Sequence, residues 1–195
     1  TSWRPDGRTG RTELHERHAA PVSTPPGRLL LLGHPVAHSL SPRFQNAALR
    51  AAGIPLEYET LDVRPDQLDA VLRRLGAENA AGNVTIPHKE AVRARCARVT
   101  PMADRCGAAN VFWHEAGALV GDNTDVGGVD VMAAALLGAE RPAARVALIG
   151  AGGAAAAVLC AVEGWGGARA RVYNRHMPRA EQLVARFSAV ATVAS

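Results

Sequence analysis

The chain has 195 residues, 48% of them hydrophobic and 21% charged, a balance that excludes disorder along its whole length. The formal net charge is +4 and the arginines do not cluster with aromatic residues, so the sequence supports neither a nucleic-acid surface nor a nucleic-acid partner. Cys96, Cys106 and Cys160 are odd in number, widely spaced and without a C-x-x-C pair, which argues against a disulfide framework or a zinc ribbon and fits a reducing cytoplasm.

In chain order, residues 1–27 are rich in Arg, Thr, Pro and Gly without an apolar period, the composition of a disordered leader. No signal core is present in them. Residues 29–32 predict a buried strand. Ser41-Pro42 predicts the start of a helix through residue 52, with Ser41 as N-cap and Pro42 in the first position, closed by Gly53. Residues 56–63 alternate as a strand. Pro65 opens a helix that carries Leu68, Val71, Leu72 and Leu75 on one face. Residues 83–86 predict a strand stopped by Pro87, and a helix starts near Lys89. Residues 109–113 and 118–120 predict a hairpin, and Asn123-Thr124 cap a helix reaching about Leu137.

A second unit follows Arg141-Pro142. It predicts a strand at 145–149, a Gly-rich turn, a helix to 162, a strand at 171–174, a helix at 178–187 and a strand at 190–194. The β-α-β-α-β order implies parallel strands with right-handed crossovers. The longest uncharged run, residues 146–162, is glycine-interrupted and Ala-heavy, a poor membrane span. The expected fold class is α/β: a substrate-binding α/β domain over 28–124, a connecting helix over 125–140, and an incomplete Rossmann domain over 141–195.

Three features carry chemistry. Of 22 basic residues, Lys89 is the only lysine. Arginine serves any surface charge, whereas only lysine offers a compact amine able to lose a proton. Next, Gly150-Ala151-Gly152-Gly153-Ala154-Ala155 fits G-x-G-x-x-A between a predicted strand and a predicted helix, where backbone N–H groups would meet a pyrophosphate. The following strand ends at Asn174-Arg175, with no acidic residue for ribose hydroxyls. Arg175 and Arg179 would suit a 2′-phosphate, so the pattern favours NADP(H) over NAD as cofactor. Finally, four polar segments precede residue 130: 33–42 with Ser39 and Ser41 at a helix start, 83–90 with Asn83, Thr85 and Lys89, Ala109-Asn110, and 121–125 ending in Asp125. Ser39 and Ser41 could cap the helix or bind a carboxylate, and the positive helix end favours an ionised Asp125. His34, His38, His88 and His114 offer no ligand spacing, so no metal is expected, and Phe112 and Trp113 are expected to pack.

Taken together, the strings HSLSP, NVTIPHKE and GDNTD, followed by GAGGA and NR…R, resemble the shikimate dehydrogenase family in order and spacing over residues 29–194. The resemblance implies NADPH-dependent reduction of 3-dehydroshikimate to shikimate in aromatic amino-acid biosynthesis. It implies Lys89 and Asp125 as the catalytic pair. Substrate ligands would be Ser39, Ser41, Thr85, Lys89, Asn110 and Asp125, and cofactor contacts Gly150, Ala151, Gly152, Gly153, Ala154, Asn174, Arg175 and Arg179. The family usually has Asn-Thr where this chain has Asn110-Val111, and often Thr where it has His176. Members also continue past Ser195, so the resemblance implies a chain lacking the C-terminal part. It leaves open a catalytically silent shikimate-binding homologue or a quinate/shikimate dehydrogenase. The small-molecule substrate is the expected partner, with no membrane involved. Without a further strand, residues 145–149 would form an apolar sheet edge, which implies a homodimer or other strand-mediated association.

Overall fold

The computed structural model describes residues 25–194. Two α/β units follow one another, the first built on a mixed sheet and the second on a parallel one. In the first, β1 (Arg28–Gly33), β2 (Tyr58–Asp62), β3 (Ala80–Val84), β4 (Arg98–Val99), β5 (Val111–Glu115) and β6 (Ala118–Asp122) form one sheet in the order β2-β1-β3-β5-β6-β4. The strands β2, β1 and β3 run parallel; β5 is antiparallel to both β3 and β6. The helices α1 (Ser41–Ala51), α2 (Leu68–Ala77), α3 (Lys89–Arg95) and α4 (Pro101–Cys106) supply the connections. The period of two along β1 places Leu30 and Leu32 in one core with Leu68, Leu72, Leu75, Val92 and Phe112, and Leu31 on the opposite face with Val36 and Tyr58.

Beyond α5 (Asp125–Leu137) and a 3-10 turn at Gly138–Ala143, the second unit consists of β7 (Arg145–Ile149), α6 (Gly153–Gly164), β8 (Arg169–Tyr173), α7 (Met177–Arg186) and β9 (Ala191–Val193). Its three strands are parallel in the order β7-β8-β9. One continuous core crosses between the units. It joins Cys106, Ala108, Val126 and Ala133 to Ala157, Leu159, Val172, Leu183 and Phe187. Phe187 and Leu159 are fully buried, each favouring the compact state by about 1.5–3 kcal/mol. Because this core is shared, the dinucleotide-type turn is held at a fixed position against the first unit.

The expected α/β class and strand directions are those observed, and several boundaries are corrected. Residues 1–24 of the expected leader lie outside the described residues. Its last three do not behave as a leader: Gly27 N–H donates to Asn79 O at 3.0 Å, and Asn79 Nδ2 donates to Pro25 O at 3.0 Å. Ser41 is not the N-cap of α1. Leu40 takes that position, and Ser39 Oγ accepts the Ser41 N–H at 3.2 Å. The third strand runs 80–84 rather than 83–86, since Thr85, Ile86 and Pro87 leave the sheet ahead of α3. The strand ahead of Asn174 likewise starts earlier, at Arg169. The sequence reading omits β4 and α4. Yet α4 carries the same signal as α1, a hydroxyl before proline: Thr100 Oγ1 accepts the Ala103 N–H at 3.2 Å, and Gly107 ends the helix in the left-handed region.

One glycine ties β1 to β3 by sterics alone. A Cβ on Gly82 would stand 1.8 Å from the backbone oxygen of Leu30 on the neighbouring strand. Neither strand can yield, because Leu30 is fully buried and hydrogen-bonded on both sides. Gly82→Ala is therefore expected to destabilise the chain by at least ~3 kcal/mol. Urea denaturation followed by circular dichroism measures this; a loss within experimental error would show that the two strands can separate.

Candidate active site

The polar residues picked out from the sequence gather where the sheet's parallel strands end. Lys89 opens α3 just beyond β3, and Asp125 opens α5 just beyond β6. Lys89 Nζ donates to Asp125 Oδ2 at 2.6 Å, with the two side chains 18% and 29% exposed. This is a short charge-assisted bond in a half-dry setting. Its net contribution to folding is small once desolvation is counted. What it provides is a fixed position for an ammonium group at the mouth of a cleft.

Asn110 fixes the carboxylate from the other side. It is buried, and its Nδ2 donates to Asp125 Oδ1 at 2.7 Å and to Thr124 Oγ1 at 3.0 Å, while its Oδ1 accepts the Thr124 N–H at 2.8 Å. The backbone of Asn110 is locked as well, with its C=O accepting from Val84 N–H and its N–H donating to Asp122 O. So the two strand ends and the start of α5 meet at one amide.

Asn123, which sequence reasoning treated only as a helix cap, belongs to this frame. It is buried; Oδ1 accepts the Asp125 N–H at 3.1 Å and Nδ2 donates to Ala108 O at 2.9 Å. Tyr58 was not singled out from the sequence, and His88 was weighed there only as a metal ligand and set aside. The Tyr58 hydroxyl donates to Asn83 Oδ1 at 2.8 Å, and burial pushes the phenol up to about 12. Fully buried His88 lies directly before Lys89, and its Nε2–H donates to Val63 O at 2.6 Å, pinning the start of α3 to the end of β2. Only position was available as a signal for these three: each flanks or pairs with a residue already singled out.

The serines form a second cluster after β1. Their hydroxyls lie 3.1 Å apart, Ser39 donating to Ser41. Thr85 adjoins this loop through Gly33, where a Cβ would meet Thr85 Cγ2 at 2.4 Å and Val36 Cγ1 at 2.6 Å. Among the described residues no hydrogen bond links the serine pair to the Lys89 cluster; the two are separate poles of the same strand-end surface. His34 pairs with Asp62 there, and the imidazole together with the Val36 N–H holds the Asp62 carboxyl below its ordinary range.

The Gly-rich turn reaches the same place from the second unit. Gly150 sits at φ +118°, a conformation suited to glycine, and its N–H donates to Tyr173 O at 2.8 Å. A Cβ on Gly153 would lie 3.1 Å from both Lys89 Cβ and Ala108 Cβ, so the first turn of α6 rests directly on the lysine. The helix has no side-chain N-cap, and the space in front of Gly152 is open. Uncommitted N–H groups at a 12-residue helix start, facing open space beside an ammonium group, fit a pyrophosphate. At the end of β8, Arg175 is exposed and has no ion-pair partner among the described residues, so it is free for a phosphate. Asn174 and Arg179 are engaged elsewhere: Asn174 Nδ2 donates to His176 O at 2.8 Å, and Arg179 pairs with Glu90 of α3 at 3.4 Å.

The sequence profile of the shikimate dehydrogenase substrate binding domain matches residues 31–112. Shikimate dehydrogenase (NADP(+)) of Symbiobacterium thermophilum is 44% identical over 171 residues, covering 84% of this chain and 56% of the relative. Over most of its length the chain is similar to the shikimate dehydrogenase family. It spans about half the length of the curated relatives it matches. Among solved structures, the shikimate dehydrogenase of Aquifex aeolicus superposes with a TM-score of 0.76 at 32% identity, covering 86% of this chain and 62% of that one. The shikimate 5-dehydrogenase of Thermus thermophilus, crystallised with NADP(H) and shikimate, gives 0.71 at 36% identity, covering 85% and 62%. The six-stranded sheet is the family's substrate-binding architecture, and the three parallel strands are part of a Rossmann fold.

Asn123 tests the frame apart from any ligand. Asn123→Ala leaves the Asp125 N–H and the Ala108 carbonyl without these partners and is expected to cost about 1–3 kcal/mol. Chemical denaturation reads this directly; an unchanged midpoint would place Asn123 outside the frame.

Proposed function

We propose that this chain carries the substrate site and the first part of the cofactor site of an NADP-dependent shikimate dehydrogenase, interconverting 3-dehydroshikimate and shikimate. The observation that supports it most is the meeting of three things at one point: the sole lysine, its carboxylate partner at 2.6 Å, and a glycine turn packed closely on that lysine. A bound NADPH would supply the hydride. The domains are read as substrate binding over 28–124, a connecting helix over 125–140 and a partial dinucleotide-binding unit from 141.

In this reading the hydroxyls of Ser39 and Ser41 donate to the substrate carboxylate at one pole of the surface. At the other pole the Lys89 ammonium donates to the ketone oxygen, opposes the negative charge that develops there, and gives up a proton to it. Asp125 holds the amine in place and aimed. Asn110 keeps Asp125 from rotating and has its backbone anchored on two strands, leaving its side chain near a ring hydroxyl. Thr85 adds a hydroxyl between the two poles. In the reverse direction Lys89 receives the proton. Gly150, Ala151, Gly152, Gly153 and Ala154 would hold the pyrophosphate with backbone N–H groups. Arg175 would take the 2′-phosphate, joined by Asn174 and by Arg179 once Arg179 leaves Glu90.

The experiment uses the 195-residue chain. Shikimate oxidation with NADP is followed by nicotinamide absorbance, and shikimate binding by calorimetry. Lys89→Ala is expected to lower turnover roughly 100- to 10,000-fold while the chain keeps its denaturation midpoint. Arg175→Ala is expected to bring NADP and NAD affinities, measured by nucleotide fluorescence titration, to within a few-fold of one another. Shikimate binding with no turnover would instead support a silent binding homologue. Absence of both binding and turnover would overturn the reading.

A further inference from the structure

We infer that Cys106 and Cys160 form a reversible disulfide that joins the substrate-binding unit covalently to the dinucleotide-type unit. The two thiols are 54 residues apart in sequence, yet their Sγ atoms lie 2.9 Å apart in the shared core. Spacing along the chain gave no sign of this. Cys106 is the last residue of α4 and fully buried; Cys160 lies within α6 and keeps 8% of its surface accessible.

The seam around the sulfurs is held by groups from both units. The Arg105 guanidinium pairs with Glu163 of α6 and stands over the Phe187 ring, 4.2 Å from its centroid. Arg186 Nη2 donates to Arg105 O at 2.6 Å, and Arg105 Nη2 donates to Arg186 O at 2.8 Å. These contacts keep α4 and α6 in register, so closing the bond needs only a sub-ångström approach, from 2.9 Å to the ~2.05 Å of a disulfide. The two thiols share one hydrogen bond, in which either sulfur can donate. That bond, with the cationic Arg105 and Arg186 close by, holds the Cys160 thiol below its ordinary value; the same bond and burial push Cys106 up. Cys160, partly accessible and more easily ionised, is the nucleophile.

The oxidant is a hydroperoxide. The Cys160 thiolate attacks one peroxide oxygen, the O–O bond breaks, and hydroxide leaves and takes the proton lost by Cys160. Cys106 sulfur then attacks the sulfenic sulfur of Cys160, the S–O bond breaks, and water leaves with the Cys106 proton. Two thiols and one hydrogen peroxide give one disulfide and two waters; the sulfurs lose two electrons and the peroxide gains them. The product fixes α6, whose first turn rests on Lys89, to the strand connection that leads from Cys106 to Asn110. Cys96 is an internal control. Its thiol donates to Val92 O at 3.3 Å and burial pushes it up to about 11, so it reacts last.

The folded chain is titrated with hydrogen peroxide, alkylated, and analysed by intact and peptide mass spectrometry. The expected product is two hydrogens lighter, contains one linked peptide pair holding Cys106 and Cys160, leaves Cys96 alkylated, and reverts with dithiothreitol. Cys106→Ser is expected to abolish the linked pair and carry Cys160 on to a sulfinic acid. Persistence of all three cysteines as alkylatable thiols would overturn the inference. So would oxidation of the unsubstituted chain to sulfinic acid or to intermolecular dimers without the linked pair. None of these outcomes depends on shikimate or nucleotide binding.

Discussion

The 2.6 Å bond between Lys89 and Asp125 is the constraint around which the other parts of the site are arranged. Each partner is the first residue of its helix, so a shift of either helix by a fraction of a turn would break it. The surrounding hydrogen bonds oppose such shifts. His88 anchors the start of α3 to the end of β2, Asn123 anchors the start of α5 to the chain before Asn110, and Asn110 joins the start of α5 to the sheet. Buried polar groups are costly unless satisfied, and here each is satisfied by a neighbour that also fixes the ion pair. The frame is therefore a positioning device whose cost in desolvated amides is offset by complete pairing.

The same point is where the two units meet. The first turn of α6 comes close enough to Lys89 that a Cβ at Gly153 would crowd it, and the shared core beneath runs from Ala108 and Val126 to Leu159 and Phe187. Charge pairs bridge the units on either side: Arg105 with Glu163, and Arg179 with Glu90. Such exposed pairs contribute little stability individually, but they set the approach of one unit to the other. A pyrophosphate-type turn and an ammonium group are thus brought together by packing, not by a flexible tether.

Much of this was legible in the sequence, for identifiable reasons. The apolar run at 29–32 gave β1 as a buried strand, and the β-α-β-α-β order gave the parallel strands of the second unit, because both follow from backbone geometry. Lys89 and Asp125 stood out because one was the only lysine and the other opened a helix. The supporting residues were not legible. Tyr58, His88 and Asn123 act through contacts set by register between distant strands, and a one-residue change in register would undo them. The cysteines show the same limit: 54 residues of separation concealed a contact made only when α4 and α6 pack. Ser41 was misplaced for a local reason: the helix begins one residue earlier than the Ser-Pro pair suggests, with Leu40 at the cap position and the Ser41 N–H taken by Ser39 Oγ.

A double-mutant cycle on shikimate affinity tests the central pairing most directly. Lys89→Met, Asp125→Asn and the double variant are compared with the original chain by titration calorimetry. If the two side chains act as one unit, the losses are non-additive, with a coupling of about 1 kcal/mol or more. Losses that simply add would mean that the amine and the carboxylate meet the ligand independently, and would contradict the account.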